Sequence, residues 1–325
     1  MLTYKTYLTI ISTIQNILTL KLNKTDNLDV KILSNLLNNC RESDRQIGQK
    51  IGLSGVAVRS RIDKMLRLNL IEKFTLKIEP HLLGYNVIYL VTTGQDVNEI
   101  IKQVKLVGEP FFVVPCVGGY SACGIVVKGE VEQKIAIIKN LLKQVRILNI
   151  FEAEDAGIES DLTKTDLDVI EQLLKNPREQ IDAVAKNAKI SSKTVARSIE
   201  KLQKLSPAFQ FTLTYDPTKI KPYISHAILC VVNGNIKNLL KTLEKQFEDH
   251  FMQMPFIAKN QIALFLYSED IFEMDEMVQK ASSVENVIAV ENFMPKKISL
   301  PQDWIKNAIK ENRKSEKLHL LRNVA

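Results

Sequence analysis

The sequence predicts an α+β fold in which one composite unit occurs twice in a single chain. Each unit is three short helices with a trailing strand, followed by a βαββαβ sheet. Two observations carry this. A shift of 137 residues superposes the chain on itself: Asp29 falls on Asp166, Leu36-Leu37 on Leu173-Leu174, Arg41-Glu42 on Arg178-Glu179, Ser54 on Ser191, Ile62 on Ile199, Phe74-Thr75-Leu76 on Phe211-Thr212-Leu213 and Pro80 on Pro217. Further on the shift drifts to 140, where Pro115 meets Pro255, as one small insertion would produce. Within each copy the apolar spacing also changes from helical to alternating at the same place.

In copy one, Leu28, Ile32, Leu33, Leu36 and Leu37 form the apolar stripe of a first helix. Ser43 is placed to cap a second helix over 44–51, with Ile47 and Ile51 inward, and Gly52 supplies the turn. Ser54 caps a third helix over 55–68, whose inward face is Val58, Ile62, Met65 and Leu66. Copy two repeats the pattern with a helix over 181–188, a turn near Ile190, Ser191 as cap and a helix through Leu205. Strands follow at 72–78 and 208–215, ending at Glu79-Pro80 and Asp216-Pro217. A short helix, a tight turn and a capped second helix make a helix-turn-helix, and the trailing strand suggests a wing.

The rest of each copy alternates strand and helix. Copy one gives a strand at 86–93, a helix at 97–107, strands at 111–116 and 122–128, a helix at 131–142 and a strand at 145–152. Copy two gives 224–232, 236–247, 251–256, 261–267, 271–281 and 287–293. This is the ferredoxin-like order, with helices on one face of the sheet. The other, apolar face needs a cover, and two such sheets in one chain invite pairing. The organisation expected is an extension (1–24), a winged helix-turn-helix (25–80), a ferredoxin-like domain (81–158), a second winged helix-turn-helix (159–217), a second ferredoxin-like domain (218–295) and a basic tail (296–325).

Composition narrows the function classes. Apolar residues are 45% and charged residues 25%, which excludes a chain that is disordered throughout. No run of 18 apolar residues is present, so no transmembrane helix is expected. The four cysteines lack CxxC spacing and there are four histidines, so neither a disulfide framework nor a structural zinc site is expected, and the compartment expected is a reducing cytoplasm. Cys116 and Cys123 flank one turn and read as two buried thiols rather than a redox pair. The net charge of +7 sits at the ends: three Lys and no acid in 1–24, and eight Lys/Arg against three acids in 296–325. Residues 4–22 are apolar and free of acids but interrupted by Thr, Ser, Gln and Asn, so an amphipathic helix or strand is expected there instead of a secretory signal. The tail reads as a solvated basic helix.

A helix held by a rigid partner can lay its N-terminal end and outer face against base edges in the major groove. The residues expected to do so are Ser54, Arg59, Ser60, Arg61, Lys64 and Arg67 in copy one. In copy two they are Ser192, Lys193, Arg197, Lys201 and Lys204. The competing reading is a solvated basic face on a structural helical hairpin. Segment 25–80 has ten Lys/Arg against seven acids and segment 159–217 nine against nine, so copy one is expected to dominate affinity.

Residues 28–94 resemble the Lrp/AsnC (feast/famine) transcriptional regulators. The residues that carry the likeness are Leu28-Asp29, Ile32-Leu33, Arg41, Ile47, Ile51-Gly52-Leu53-Ser54, Val58, Arg61-Ile62, Leu70-Ile71, Pro80 and Leu83-Gly84, with looser matches in copy two at Asp166, Arg178, Ile190-Ser191, Val195 and Asp216-Pro217. The resemblance implies binding to double-stranded DNA, pairing through the sheet domains, a homo-oligomer and, in some members, an amino-acid effector. Effector-responsive members carry a Gly-rich turn ending in Asp. Here it reads Gly118-Gly119-Tyr120-Ser121, and copy two has Ala258-Lys259-Asn260-Gln261. Family members usually carry one unit per chain, so two fused units are expected to act as a pseudo-dimer. Siroheme decarboxylases resemble the same two-domain unit and supply the enzymatic alternative. Their pattern of Tyr, Arg and His before an Asn-Leu-Trp run is not matched here: His250 lacks the Arg, and Trp304 lies in the tail. A non-catalytic interaction module is the third reading. No cofactor, metal or catalytic residue is expected.

Overall fold

The computed structural model describes residues 25–153 and 162–322; the expectation for 1–24 lies outside them. The first helical unit is α1 (Asn27–Asn38), α2 (Asp44–Ile51) and α3 (Gly55–Arg67), followed by β1 (Ile71–Ile78). Its sheet unit is β2 (Asn86–Thr93), α4 (Val97–Val104), β3 (Glu109–Pro115), β4 (Tyr120–Val127), α5 (Val131–Leu141) and β5 (Arg146–Glu152). The second copy supplies α6 (Lys164–Leu173), α7 (Ile181–Ala188), α8 (Ser192–Lys204), β6 (Phe209–Tyr215), β7 (Ile224–Val232), α9 (Ile236–Gln246), β8 (Phe251–Ala258), β9 (Gln261–Ser268), α10 (Ile271–Ser282) and β10 (Val287–Phe293). A last helix, α11, spans Asp303–Arg322.

The helix starts follow from their caps. Asp26 and Thr163 each form a reciprocal box with the Asp three residues on, Asp29 and Asp166, and Ser43 does so with Gln46. Helix α2 ends on Gly52 at φ 75°, in the left-handed region that only glycine enters freely. In copy two Lys189 holds that position at φ 57° and carries the steric cost.

Each four-stranded sheet is antiparallel, in order β3-β4-β2-β5 and β10-β7-β9-β8. The strand-trailing-helix elements do not form wings within their own copies. A lone strand has no ladder partner there, so β1 and β6 satisfy each other as a two-stranded antiparallel ribbon. Thr75 pairs with Thr212, its own repeat equivalent, so a pseudo-twofold axis passes between them.

The cores are interleaved across the copies. The apolar face of α1–α3 packs with Leu213 and Tyr215 of β6, Ile220, Met252 of β8 and Tyr267 of β9. Ser34 donates to the Phe251 carbonyl at 2.9 Å, and the Met254 N–H donates to Asn38 at 3.1 Å. The second helical unit packs instead with Leu76 and Ile78 of β1 and with Val87, Phe111 and Val126 of the first sheet. The sheets meet directly as well: Tyr89 is edge-on to Phe256 at 5.3 Å, and the Lys259 ammonium lies 5.7 Å from the Phe151 ring centre. Each helical unit therefore stands on the other copy's strands.

The C-terminal segment is not a solvated tail. Residues 295–299 run antiparallel to β3, with mutual bonds of 3.0 Å between Val113 and Ser299. Helix α11 then buries Trp304, Ile305, Ala308 and Ile309 between the first sheet and α6. Its apolar residues at positions 304, 305, 308 and 309 make one stripe, and burying that stripe outweighs solvating the basic face. Arg313 fixes the far end of the stripe on Asp168 (2.5 Å) and Glu171 (2.8 Å). Among the described residues copy one shows no equivalent helix, and there α1 contacts β8 directly.

Candidate nucleic-acid interface

Helices α3 and α8 are held alike. Ser54 and Ser191 accept from the N–H groups of Ala57 and Thr194, which fixes where each helix starts. Val58, Ile62 and Met65 anchor the inner face of α3, and Val195, Ile199 and Leu202 that of α8. What remains outward on α3 is Val56, Arg59, Ser60, Asp63, Leu66 and Arg67, all exposed. On α8 it is Lys193, Arg197, Glu200, Gln203 and Lys204, all exposed, with Ala196 half-buried. Arg59 lies 3.6 Å from Asp44 and 3.5 Å from Asp63, yet its side chain stays 65% exposed and can swing outward.

Three expected contact residues face the domain instead. Arg61 donates to Asp26 (2.8 Å) and Asp29 (2.7 Å), and Lys64 reaches Asp29 at 2.9 Å. In copy two, Lys201 pairs with Asp166 at 3.0 Å, and Ser198, the repeat equivalent of Arg61, donates to the same carboxylate at 2.5 Å. These residues flank the inward face of their helices, on the side where the first helix of each unit presents a buried Asp. Burial alone would raise the Asp166 carboxyl, but bonds from Ser198, the Thr163 N–H and Lys201 outweigh it and hold the group below the ordinary aspartate range. Burial opposes Arg61 in the same way at Asp26, and its guanidinium, with the Asp29 N–H, again wins and lowers that carboxyl. Ser192 is also engaged, donating to Asp182 at 2.6 Å. The sequence signal was an Asp at the same place in both copies, inside an otherwise apolar stripe.

Two arginines that the sequence showed only as a repeat match join the helical units. Arg41 donates to the carbonyls of Pro177 (2.6 Å) and Glu179 (3.0 Å) and lies 5.6 Å from the Phe211 ring centre. Its repeat equivalent Arg178 donates to Asp44 (3.2 Å) and lies 5.0 Å from the Phe74 ring. Each arginine leaves its own copy: Arg41 grips the loop before α7, and Arg178 the first residue of α2. With the β1–β6 ribbon, these bonds tie the two helical units to each other.

The Gly118–Ser121 turn is already occupied by the chain. Gly118 and Gly119 sit at φ 78° and 79°, the Val117 N–H donates to Met294, Tyr120 is edge-on to Phe293 at 5.7 Å, and Ser121 is buried. Cys116 and Cys123 are buried free thiols, pushed up to about 11 and about 12 by burial. Among the described residues, no helix is long and apolar enough to cross a membrane.

Comparison with known proteins agrees with this geometry. The AsnC-type helix-turn-helix domain matches residues 26–66, and a winged helix-turn-helix DNA-binding domain matches 162–205. The chain is similar to the HTH-type transcriptional regulator Ptr1 of Methanocaldococcus jannaschii, 30% identical over 110 residues, which are 33% of this chain and 74% of that protein. It is also similar to the HTH-type transcriptional regulator Rv2324 of Mycobacterium tuberculosis, 35% identical over 65 residues, or 20% of this chain and 44% of that protein. Among solved structures, the siroheme decarboxylase NirDL aligns over 89% of this chain and 100% of its own, at 11% identity and a TM-score of 0.47.

Proposed function

The chain belongs to the Lrp/AsnC family of transcriptional regulators, and on that premise we propose that it is a sequence-specific DNA-binding regulator whose two copies act as a dimer within one chain. The observation that carries this is the Thr75–Thr212 pair: two capped recognition helices are related by a pseudo-twofold axis that no second chain is needed to build. Arg59 and Arg67 in copy one, and Lys193, Arg197 and Lys204 in copy two, supply the charge for phosphates, and the helix N-termini approach base edges. Residues 25–80 and 159–217 serve as the reading units, and the paired sheets as the frame that spaces them.

The reading is non-catalytic. The second sheet unit, 218–295, has seven Lys, no Arg and ten acids, a field that repels a tetrapyrrole bearing several carboxylates. His250 is committed to the fold through the Tyr267 carbonyl at 3.2 Å. Anaerobic incubation with siroheme is expected to give no decarboxylated product. Exposed Leu148 on edge strand β5 and Ile288 on edge strand β10 support association of whole chains into a homo-oligomer.

The test is selection of duplexes from a random pool by the full chain, followed by anisotropy titrations from low to moderate salt. Specific binding is expected, with log affinity falling linearly in log salt at a slope of about 0.9 per phosphate contacted. Equal affinity for selected and random duplexes would overturn the assignment.

A further inference from the structure

The backbone of the two reading units is nearly twofold symmetric, but their outward side chains are not. At the six equivalent outward positions, copy one carries Val56, Arg59, Ser60, Asp63, Leu66 and Arg67. Copy two carries Lys193, Ala196, Arg197, Glu200, Gln203 and Lys204: the acid at 63/200 and the base at 67/204 are kept, and the other four positions differ in chemistry. A symmetric dimer reads a palindrome because both its helices present the same groups. This chain presents two different faces from one frame.

Val56 is the sharpest difference. It is 81% exposed, more than any other large apolar side chain among the described residues. It is the second residue of α3, two after the Ser54 cap, at the end of a recognition helix that meets base edges. It is out of phase with the buried Val58, Ile62 and Met65, so no packing inside the chain accounts for it. The base feature that rewards an apolar side chain in the major groove is the thymine 5-methyl group. At the equivalent position Lys193 offers a flexible ammonium suited to a phosphate.

Resting on the DNA-binding reading, we propose that the operator is non-palindromic: one half-site is read by α3 with Val56 against a thymine methyl, and the other is held by α8 chiefly through its phosphates. One arm of the fused pair carries the sequence information and the other carries anchoring.

The experiment uses the full chain and the duplexes it selects. The consensus is expected to be informative on one side of its centre and degenerate on the other. Each selected thymine is then replaced by deoxyuridine, which removes only the 5-methyl group. One such replacement should weaken wild-type binding about fourfold, the factor expected for one buried methyl-sized group. The same replacement should weaken Val56→Ala much less, because its shorter side chain stops short of the base, and leave Val56→Thr still sensitive, since Thr keeps the γ-methyl group that Ala lacks. A palindromic consensus, or a deoxyuridine penalty unchanged in Val56→Ala, overturns the proposal while DNA binding itself stands. Selection of no duplex at all removes the DNA-binding reading and this one with it.

Discussion

Replacing Arg41 by Ala tests whether the frame sets the spacing of the recognition helices. The guanidinium makes two charge-assisted bonds, at 2.6 and 3.0 Å, to carbonyls of the opposite copy and stacks on Phe211. Charge-assisted bonds contribute about 1.5–3 kcal/mol each. The site is half-buried, so water can restore part of the loss. The low end of the range then applies, and the two bonds predict a cost of about 3 kcal/mol. Arg178, with one bond at 3.2 Å to a carboxylate that is 20% exposed, predicts about 1 kcal/mol for the same change. The stability cost is read from urea unfolding. The functional consequence is read from a set of selected duplexes whose half-site separation is altered by one to five base pairs. Wild type should fall steeply in affinity as one half-site rotates around the helix axis. Arg41→Ala should flatten that dependence, because one of the two arginine braces is then lost and only the weaker Arg178 bond and the strand packing hold the units in register. If Arg41→Ala costs less than 1 kcal/mol and keeps the wild-type spacing profile, the cross-brace does not set the spacing and the reasoning fails.

Three further outcomes are expected. Trp304→Ala should cost about 3–5 kcal/mol in chemical unfolding, since the ring is 3% exposed between Tyr85 and Phe111; a change below 1 kcal/mol would mean that α11 is not part of the core. Lys189→Gly should gain roughly 0.5–1 kcal/mol by relieving a left-handed residue, whereas Gly52→Ala should lose about 1 kcal/mol; thermal melts of both variants check the pair. Burial pushes His226 down to about 4, so the unfolded chain takes up its proton first as pH falls. That contribution to stability is flat above about pH 6.5 and declines by about 3 kcal/mol between 6.5 and 4. Urea midpoints at pH 7 and pH 5 for wild type and His226→Gln should show the variant with the weaker pH dependence, and parallel slopes would exclude His226 as the source.

Much of the architecture was legible because it is locally encoded. Ser43, Ser54 and Ser191 each cap the helix expected, Gly52 closes α2, and Asn86–Thr93, Ile224–Val232 and Val287–Phe293 fall on the strands read from alternation. Caps and periods act within one or two turns of chain, so residue identities alone report them. The repeat likewise showed that one helix-and-sheet frame is built twice. Tertiary structure decided where the copies meet. Alternation in residues 72–78 identifies a strand but says nothing of its ladder partner, and β6 of the other copy, 137 residues away, is the strand that satisfies it. The same holds for charge. Arg61, Lys64 and Lys201 are indistinguishable in sequence from outward bases such as Arg59, because a helical wheel gives direction and not the neighbour met there. Buried Asp29 and Asp166 turn them inward, and this leaves Val56 and Arg59 on the outward face of α3. The apolar stripe of α11 was visible, but a stripe says only that something must cover it. The first sheet and α6 do so, a pairing that only the folded chain reveals.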